Sequence, residues 1–281
     1  MPLDFPIVVP ENNLRLPDAL TIAHGPAREL SRFVLAADKA ARRKGVFLRI
    51  RHDFSELLYV NRHYAAQNMW YSLVDGFNPE CADMRPENSF WVSGEDESGE
   101  VAVTAACRIY DWSDTSLAEQ ARAVWYGQDQ GQPCVVTAEA AARITGLVAW
   151  GGASWVRPDF RGRHLSYLIP RVLKAYSCSR WPIDCLFCFI GAANVKRGLA
   201  ASYGHQNLSY SVDFPGSPHG EQVVGYTLLG EFYAELANFM ATGGSVMEPG
   251  DFAGSALSTG IEHIVTKTSA DEVFHGSMSL S

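Results

Sequence analysis

The spacing of apolar and polar residues changes several times along the chain, and each change marks a predicted element. Apolar residues recur every three to four positions in five segments, which predicts helices: residues 25–45, 53–72, 165–176, 194–204 and 231–240. Apolar runs or two-residue alternation predict strands at residues 46–52, in a hairpin over 89–112, and at 143–158, 183–190, 207–214 and 221–229. Helices and strands are interspersed throughout, which predicts an α/β (α+β) fold.

One main domain with an extension at each end is the organisation that this pattern favours. Residues 1–45 are expected to form an N-terminal arm and a helix packed on the core. Residues 46–242 are expected to form the domain itself, with an insertion at about 113–142. Residues 243–281 are rich in Gly and Ser and are expected to be a C-terminal extension. A chain of 281 residues can bury a large core without disulfides.

The segment "VRPDFRGRHLSYLIPRVLKAY", residues 156–176, holds a strand end, a basic turn and an amphipathic helix. The helix is expected to begin near His164, so its first backbone N–H groups point into the turn Arg161-Gly162-Arg163. These groups, the helix dipole and the arginines together form an anion site, and Gly162 lets an anion approach the backbone. The same residues also fit a solvated basic corner, and their spacing alone leaves both interpretations open.

The apolar stripe of this predicted helix is continuous over three turns. Its members are Leu165, Leu168, Ile169, Val172, Leu173 and Tyr176. Strands are predicted on both sides of the helix, at 143–158 and 183–190. A strand–helix–strand unit of this length implies a right-handed parallel crossover.

Charge and composition narrow the classes of partner. A formal net charge of −8 argues against nucleic acid and against an anionic membrane surface. The first residues lack a basic region followed by a long apolar run, and no stretch reaches the length of a membrane span. Together with six scattered cysteines, which fit reduced thiols, these features lead us to expect a cytoplasmic protein.

No metal site is expected from the histidines and cysteines. The eight histidines show no H-x-x-x-H or H-E-x-x-H spacing. Cys185 and Cys188 form a C-x-x-C, but residues three apart on a strand face opposite sides. They are therefore interpreted as structural residues.

In its context, the segment at 156–176 resembles the acyl-CoA-binding motif of the Gcn5-related N-acetyltransferase family. The matching residues are Val156, Pro158, Arg161, Gly162 and Leu165, with Asn194 after the next strand and Gly204 at the end of the following helix. The hairpin and the last two strands follow the same order of elements, so the resemblance covers roughly residues 46–230. It implies a mixed, mostly antiparallel sheet with helices on both faces. In that sheet a central parallel pair, 147–156 and 184–190, splays apart to hold acyl-CoA.

The resemblance also implies a donor, a mechanism and a set of residues. The donor is acetyl-CoA or another acyl-CoA, and no metal takes part. An amine of a small molecule or a peptide attacks the thioester carbonyl directly, and a strand N–H stabilises the oxyanion. The arm, the insertion and the C-terminal extension are long for a minimal version of this fold, which suggests a restricted acceptor pocket or a homodimer contact. The implied cofactor-binding residues are Trp155, Val156, Arg161, Gly162, Arg163, His164, Leu165, Ser166 and Asn194.

Four residues depart from the family's pattern. His164 and Ser166 stand where small, glycine-like residues are usual, and the His164 imidazole is expected to donate to the diphosphate. Pro170 falls in the second turn of the helix, where proline costs about 3 kcal/mol and predicts a kink. Ala200 stands where many members have the tyrosine that protonates the departing thiolate. Tyr203 is the candidate for that role, with packing under the sheet as the alternative.

Other polar residues are weaker candidates for binding or catalysis. Lys174, Lys196 and Arg197 are candidates to reach the ribose phosphate of CoA. Glu139 and Asp111 are candidates for the general base, with a solvated loop acid as the favoured alternative for each, and a chain of water molecules could serve instead.

The sequence therefore predicts an acyl-CoA-dependent N-acyltransferase, and it favours an acetyltransferase within that class. Two alternatives keep the same fold. One is a non-catalytic acyl-CoA sensor or scaffold, which Ala200 and His164 favour. The other is an N-acyltransferase that takes its acyl group from an acyl carrier protein.

Overall fold

The computed structural model describes residues 14–127, 131–215 and 220–241. This part of the chain forms one sheet in the order β1-β2-β3-β4-β6-β7-β9-β8-β5. Its strands are β1 (Leu14–Arg15), β2 (Phe47–Arg51), β3 (Ser89–Glu95), β4 (Val101–Trp112), β5 (Val135–Val136), β6 (Gly146–Val156), β7 (Cys185–Gly191), β8 (Asn207–Asp213) and β9 (Gln222–Leu228). Every neighbouring pair is antiparallel except β6 and β7, which are parallel. The predicted mixed, mostly antiparallel sheet with a central parallel pair is confirmed.

Helices cover both faces of the sheet, as predicted. They are α1 (Leu16–Ala19), α2 (Ala27–Arg43), α3 (Phe54–Ala65), α4 (Leu117–Tyr126), α5 (Leu165–Arg180), α6 (Ala192–Lys196), α7 (Leu199–Ser202) and α8 (Leu229–Ala241). One hydrophobic cluster joins α2, α5 and α8 to the sheet. The other, on the opposite face, joins α4 and the first turn of α3 to the sheet.

Helix α5 is the most enclosed of these helices. Each residue of the predicted apolar stripe is buried, and so are its polar residues Arg171 and Lys174. The helix begins at Leu165, directly after His164, as its sequence predicts. Pro170 lies inside the helix, which stays one continuous element to Arg180. Burial of both the apolar stripe and the opposite side fixes α5 under the parallel pair.

Helix α3 is shorter than the spacing predicts. Asp53 caps it by accepting from the Ser55 N–H at 2.8 Å, but it ends at Ala65 instead of continuing to residue 72. The Asn61 amide explains the difference, because it donates to the Tyr71 carbonyl at 2.8 Å and accepts from the Leu73 N–H at 3.0 Å. These bonds fold residues 66–74 back as a loop, and this loop becomes part of the site.

The predicted helix over 194–204 is two short helices, α6 and α7. Gly198 separates them with φ +82°, a left-handed conformation that breaks the helical pattern. Gly204 follows α7 with φ +71°, as expected for a helix end. At that position a methyl group would lie 2.7 Å from the Arg171 guanidinium, so only glycine fits there.

The chain ends and the insertion differ in detail from their predictions. The described part of the N-terminal arm, residues 14–19, forms β1 and α1 in place of an extended arm. Within 113–142, α4 packs on the sheet, and β5 joins the sheet edge beside β8. Residues 1–13 and the predicted C-terminal extension, 243–281, lie outside the described residues. The domain boundaries therefore remain a prediction.

Gly76 provides a test of how tightly the chain packs beside the site. It lies in the 3-10 turn Asp75–Phe77, where a methyl group would overlap the Val124 carbonyl oxygen of α4 and come 2.6 Å from the Trp150 ring. Gly76→Ala is expected to lower the free energy of unfolding by about 1–3 kcal/mol, because backbone must move. Chemical denaturation measures this change.

The matched control is Gly230→Ala in α8, where nothing lies within 4 Å of the new methyl group. That variant is expected to keep the stability of the wild type or to gain up to about 1 kcal/mol, since alanine is the better helix former. Equal losses of stability in the two variants would contradict the packing described around Gly76.

Candidate active site

The parallel strands β6 and β7 pair over only three residues each. Val148, Ala149 and Trp150 pair with Cys185, Leu186 and Phe187, and the ladder then stops. Beyond it β6 stays paired with β4, and β7 stays paired with β9 up to Gly191. A register shift opposite Thr104–Ala106 and the left-handed φ of +48° at Ala153 mark an irregularity in β6 at this point. The two strands are therefore held apart by their outer neighbours, and a wedge opens between them.

A cavity of about 1150 Å³ occupies this wedge and reaches both faces of the sheet. On one face it is lined by Leu165, Ser166, Ile169, Pro170 and Leu173 of α5. These positions run along the helix for on the order of 12 Å. The cavity is thus a groove that connects the N-terminal end of α5 with the point where β6 and β7 separate.

The basic turn before α5 contains two residues in the left-handed backbone region. Gly162 has φ +79° and His164 has φ +58°, and a methyl group on Gly162 would meet nothing within 4 Å. The N–H groups of Tyr167 and Leu168 both bond to the His164 carbonyl, so the helix is formed immediately after the turn. Its first N–H groups have no acceptor inside the helix and face the turn.

The side chains of the two arginines in the turn make different contacts. Arg161 lines the cavity, and its Nε donates to the Val156 carbonyl at 3.2 Å. The Arg163 guanidinium lies 4.0 Å from the Phe160 ring centroid and donates to the Lys44 carbonyl at 3.0 Å, at the end of α2. Arg163 therefore ties the turn to α2, and its side chain is not part of the cavity wall. Gly162 and His164 also lie outside the wall.

An ion-pair cluster anchors this turn to the β3–β4 hairpin. Arg157 pairs with Asp96 at 2.6 Å and with Asp159 at 2.8 Å. Hydrogen bonds from Ser98 and Arg157 hold the pKa of Asp96 well below its usual range. The cluster fixes the entry into the turn, just after the last residue of β6.

The remaining predicted cofactor-binding residues lie on three walls of the cavity. Trp155 and Val156 line it from β6, and the buried Trp155 indole donates to the Met69 carbonyl at 3.0 Å. Asn194 lines it from α6. Ser166 lines it from α5, and its hydroxyl meets that of Ser202 at 3.0 Å, which ties α5 to α7.

Tyr203 lines the cavity at the end of α7, while Ala200 is buried beneath it. Burial raises the pKa of the Tyr203 phenol above its ordinary value, although a hydrogen bond with Ser154 of β6 opposes the shift. The phenol therefore holds its proton across the physiological range. Its position next to β6 is one from which a proton can be delivered into the wedge.

Lys174 is not the surface lysine that its helix position suggested. It is fully enclosed, and its Nζ donates to the Gly204 carbonyl at 2.6 Å and to the Thr227 hydroxyl at 3.2 Å. Burial lowers the pKa of Lys174 to about 8. Lys174 lines the cavity from α5, but these two bonds hold its Nζ against α7 and β9, so it is not the exposed lysine that the reach to a ribose phosphate assumed. Arg197 does line the cavity, and Lys196 does not.

A thiol–imidazole pair also lines the cavity, and sequence reasoning missed it. The Cys188 Sγ lies 3.0 Å from the His205 Nε2, and the His205 Nδ1 lies 3.3 Å from the Thr227 hydroxyl. Burial raises the pKa of Cys188 to about 12 and lowers that of His205 well below its usual value, so both groups are neutral. The C-x-x-C spacing already placed Cys188 opposite Cys185, but nothing in the sequence connected it to His205.

Both predicted carboxylate bases lie away from the cavity. Asp111 is exposed and accepts from the Ser113 N–H at 3.1 Å, and Glu139 is exposed and pairs with Arg143 at 2.7 Å. Neither residue is part of the wall. Among the described residues, Glu221, at the start of β9, is the one carboxylate that lines the cavity. Both positions fit the alternative interpretation, a solvated loop acid, and not the role of a base.

Within the part of the chain that the structure describes, no group of three or more His, Cys, Asp or Glu residues is placed to hold a metal ion. No helix of that part has the length and apolar character needed to cross a membrane.

Comparison with known proteins finds distant similarity to several solved structures. Neither a family model nor a curated protein sequence matches it. It is similar to the aminoglycoside acetyltransferase AAC(6')-Ib, solved with coenzyme A and kanamycin, at 14% identity and a TM-score of 0.40, over 67% of this chain and 98% of that one. It is also similar to FeeM, an N-acyl amino acid synthase from uncultured soil microbes, at 16% identity and a TM-score of 0.41, over 66% and 92%.

A third similar structure is the GNAT domain of the S. lividans protein PAT, at 11% identity and a TM-score of 0.38, over 65% of this chain and 91% of that one. Similarities of this size carry no argument about activity. The functional assignment therefore rests on the chain's own geometry.

The buried Lys174 makes stability depend on pH in a direction that can be tested. Its pKa is about 8 in the folded chain against an ordinary value of 10.5, so the unfolded chain binds more protons between these pH values. The stability of the wild type relative to Lys174→Met is therefore expected to rise by up to about 3 kcal/mol from pH 8 to pH 10.5. Chemical denaturation of both proteins across this range measures the difference.

Lys196→Met, which removes an exposed lysine outside the cavity, is the control for loss of one charge. Its stability difference from the wild type is expected to stay constant over the same range. A constant difference for Lys174→Met as well would show that Lys174 is not enclosed in the folded protein.

Proposed function

We propose that this chain is an acyl-CoA-dependent N-acyltransferase, with acetyl-CoA as the simplest donor. The observation that carries the proposal is a single cavity that joins the N-terminal end of α5 to the wedge between β6 and β7. A long thioester with an anionic end needs both features, one for its phosphates and one for its acyl end. The six unpaired cysteines support the cytoplasmic location expected from the sequence.

The donor would bind with its pyrophosphate at the turn before α5. There the first N–H groups of the helix and the backbone of Gly162 receive the phosphate oxygens, and Arg161 adds a charge at the cavity wall. The pantetheine arm would follow Trp155 and Val156, where β7 no longer pairs with β6. Asn194 stands on the other side of the same opening. His164 and Arg163 contribute their backbone to the cradle in this arrangement.

Acyl transfer would proceed by direct attack. The amine nitrogen forms a bond to the thioester carbonyl carbon, and a backbone N–H of β6 stabilises the oxyanion. The carbon–sulfur bond then breaks, and Tyr203 donates its proton to the CoA thiolate. The proton lost by the amine leaves through water, and Tyr203 is reprotonated from solvent. The position of Tyr203 on the cavity wall supports catalysis over a purely sensing role.

Arg161→Ala tests the cradle. The variant is expected to bind coenzyme A about 10-fold more weakly, because one charge-assisted contact to phosphate is lost. Calorimetric titration with coenzyme A measures the affinity. Arg143→Ala, an exposed arginine outside the cavity, should bind like the wild type. Unchanged affinity in Arg161→Ala would refute the cradle, and a wild type that binds no coenzyme A would refute the proposed function.

Tyr203→Phe tests the role of the phenol. Release of CoA thiol in the presence of an amine is expected to fall by about 100-fold or more in kcat, since general acid catalysis is lost. The affinity for acetyl-CoA should stay within a factor of about two, because the ring remains. Tyr59→Phe, on the exposed side of α3, is the control. Full activity in Tyr203→Phe would remove Tyr203 from the mechanism, and a wild type that binds acetyl-CoA but acylates no amine would favour the sensor.

A further inference from the structure

The cavity has a second half, on the face of the sheet opposite α5, and its wall is aromatic. We call the rings of Trp70, Tyr71, Phe77, Trp125, Trp150 and Phe189 the aromatic wall. Four of them pack on one another, with ring centroids 4.0 Å apart for Phe77 and Trp150, 6.3 Å for Trp150 and Phe189, and 5.6 Å for Trp125 and Phe189. Phe77, Trp125 and Trp150 are buried, whereas Trp70, Tyr71 and Phe189 keep exposed surface. Met69, Leu73 and Val74 add aliphatic surface from the same loop.

The loop at 66–74 that carries part of this wall is held in place. Asn61 binds it at the Tyr71 carbonyl and the Leu73 N–H. Trp70 stacks on Trp155 with ring centroids 4.9 Å apart, and Trp155 in turn binds the Met69 carbonyl. The wall is therefore built before any substrate arrives, directly beside the strand that would hold the thioester.

The charged residues of the cavity lie elsewhere. Arg161 and Lys174 belong to the α5 side, Arg197 lies between α6 and α7, and Glu221 lies at the start of β9. Within the described residues, no charged side chain belongs to the aromatic wall or to its loop. An ammonium group placed against the wall would lose water without gaining a carboxylate, and this desolvation lowers the pKa of an amine.

The aromatic wall also affects how the acceptor amine is deprotonated, because the two candidate carboxylate bases lie outside the cavity. Asp111 and Glu139 are remote, and among the residues that the structure describes no carboxylate lines this face of the cavity to remove a proton from an incoming ammonium group. An amine that is already neutral has its lone pair available and needs no base before it attacks. Aromatic faces also attract ammonium groups, but a nitrogen that remains protonated cannot form the new bond to carbon.

We infer that the acceptor is an aromatic amine that enters the site uncharged, with its ring against the aromatic wall and its nitrogen at the wedge. This inference rests on the proposed function, since it names the substrate class of that same reaction. Arylamines satisfy both requirements, a flat apolar body and a nitrogen that is not an ammonium group at neutral pH. The N–H proton that this nitrogen loses as the amide forms leaves through water, as in the mechanism above. The products are the N-acyl arylamine and free CoA thiol, so atoms balance without a further reactant.

The first test compares two ring amines of equal size with a linear polyamine. Aniline, cyclohexylamine and the polycation spermidine are each supplied with acetyl-CoA, and thiol release is followed from pH 7 to pH 9, with the uncatalysed rate subtracted. At pH 7 the kcat/KM for aniline is expected to exceed that for cyclohexylamine by at least about 10-fold and to change little with pH. The rate with cyclohexylamine should rise by about 10-fold per pH unit, as its neutral fraction does. Preference for cyclohexylamine or spermidine at pH 7 would overturn the inference.

The second test removes part of the wall. Trp70→Ala is expected to raise the KM for aniline by about 10-fold and to leave the affinity for acetyl-CoA unchanged, since a ring contact to the acceptor is lost. Tyr71→Ala, at a mostly exposed ring that can be removed without harm to the core, should act in the same direction. Tyr59→Ala is the matched control, an exposed aromatic residue outside the cavity. Unchanged KM values in both wall variants would overturn the inference.

A donor series separates the aromatic amine from the other occupant that such a wall could hold, a long acyl chain. Acetyl-CoA, butanoyl-CoA and octanoyl-CoA are compared with aniline as the fixed acceptor. The inference expects no gain from the longer chains. A preference for octanoyl-CoA that Trp70→Ala abolishes, with the KM for aniline unchanged, would assign the wall to the acyl chain. If coenzyme A binds but no amine in the panel is acylated, the proposed function fails and the acceptor class fails with it.

Discussion

The separation of β6 from β7 is the feature on which the rest of the site depends. Two parallel strands would normally continue their ladder, because unpaired backbone groups in an interior are costly. Here each strand is held by a different antiparallel neighbour, β4 on one side and β9 on the other, and the irregularity at Ala153 ends the shared ladder at Trp150. The backbone groups exposed in the wedge are then available to a ligand that carries amide groups of its own.

Helix α5 keeps this wedge open, and the position of its N-terminal end sets the direction in which the groove runs. Its two buried charged residues are satisfied internally: Arg171 pairs with Glu235 of α8 at 2.6 Å and donates to the Ser202 carbonyl of α7 at 2.7 Å. Lys174 reaches across to Gly204 and Thr227. Such buried, bonded groups are costly to rearrange, since each would be left unpaired. The N-terminal end of α5 is thereby fixed relative to the wedge, which defines where an anionic end and an acyl end of one ligand would lie.

The two faces of the cavity differ in chemistry, and the proposed reaction uses the difference. The α5 side offers backbone N–H groups and arginine, which suit phosphates, whereas the opposite side offers aromatic rings. A donor and an acceptor of unlike polarity would thus meet only at the wedge. The neutral Cys188–His205 pair lies at this point as well, next to the last paired residue of β7, and its hydrogen bonds help to position the floor of the cavity.

Local periodicity by itself determined a large part of this protein. The apolar stripe of α5, the β3–β4 hairpin and the alternation around β6 and β7 are short-range patterns, and the strands and helices that they predict are found. Gly162 and the helix start at Leu165 followed from the same kind of reasoning, because a turn and a helix end are decided by a few adjacent residues. The resemblance then implied the mixed sheet and the splayed pair, which the topology confirms.

Tertiary structure decided which side chains reach the cavity. The Arg163 side chain donates to the Lys44 carbonyl, 119 positions away, and packs on the Phe160 ring, so it points away from the cavity. Lys174 carries a charge that predicts exposure, yet α7 and β9 enclose it. Asn61 ends α3 early and creates the loop of the aromatic wall, and Cys188 meets His205 across 17 positions. Contacts between segments that are distant in the chain leave no periodic signal, so the sequence predicted the anion turn and the folded chain alone decided what surrounds it.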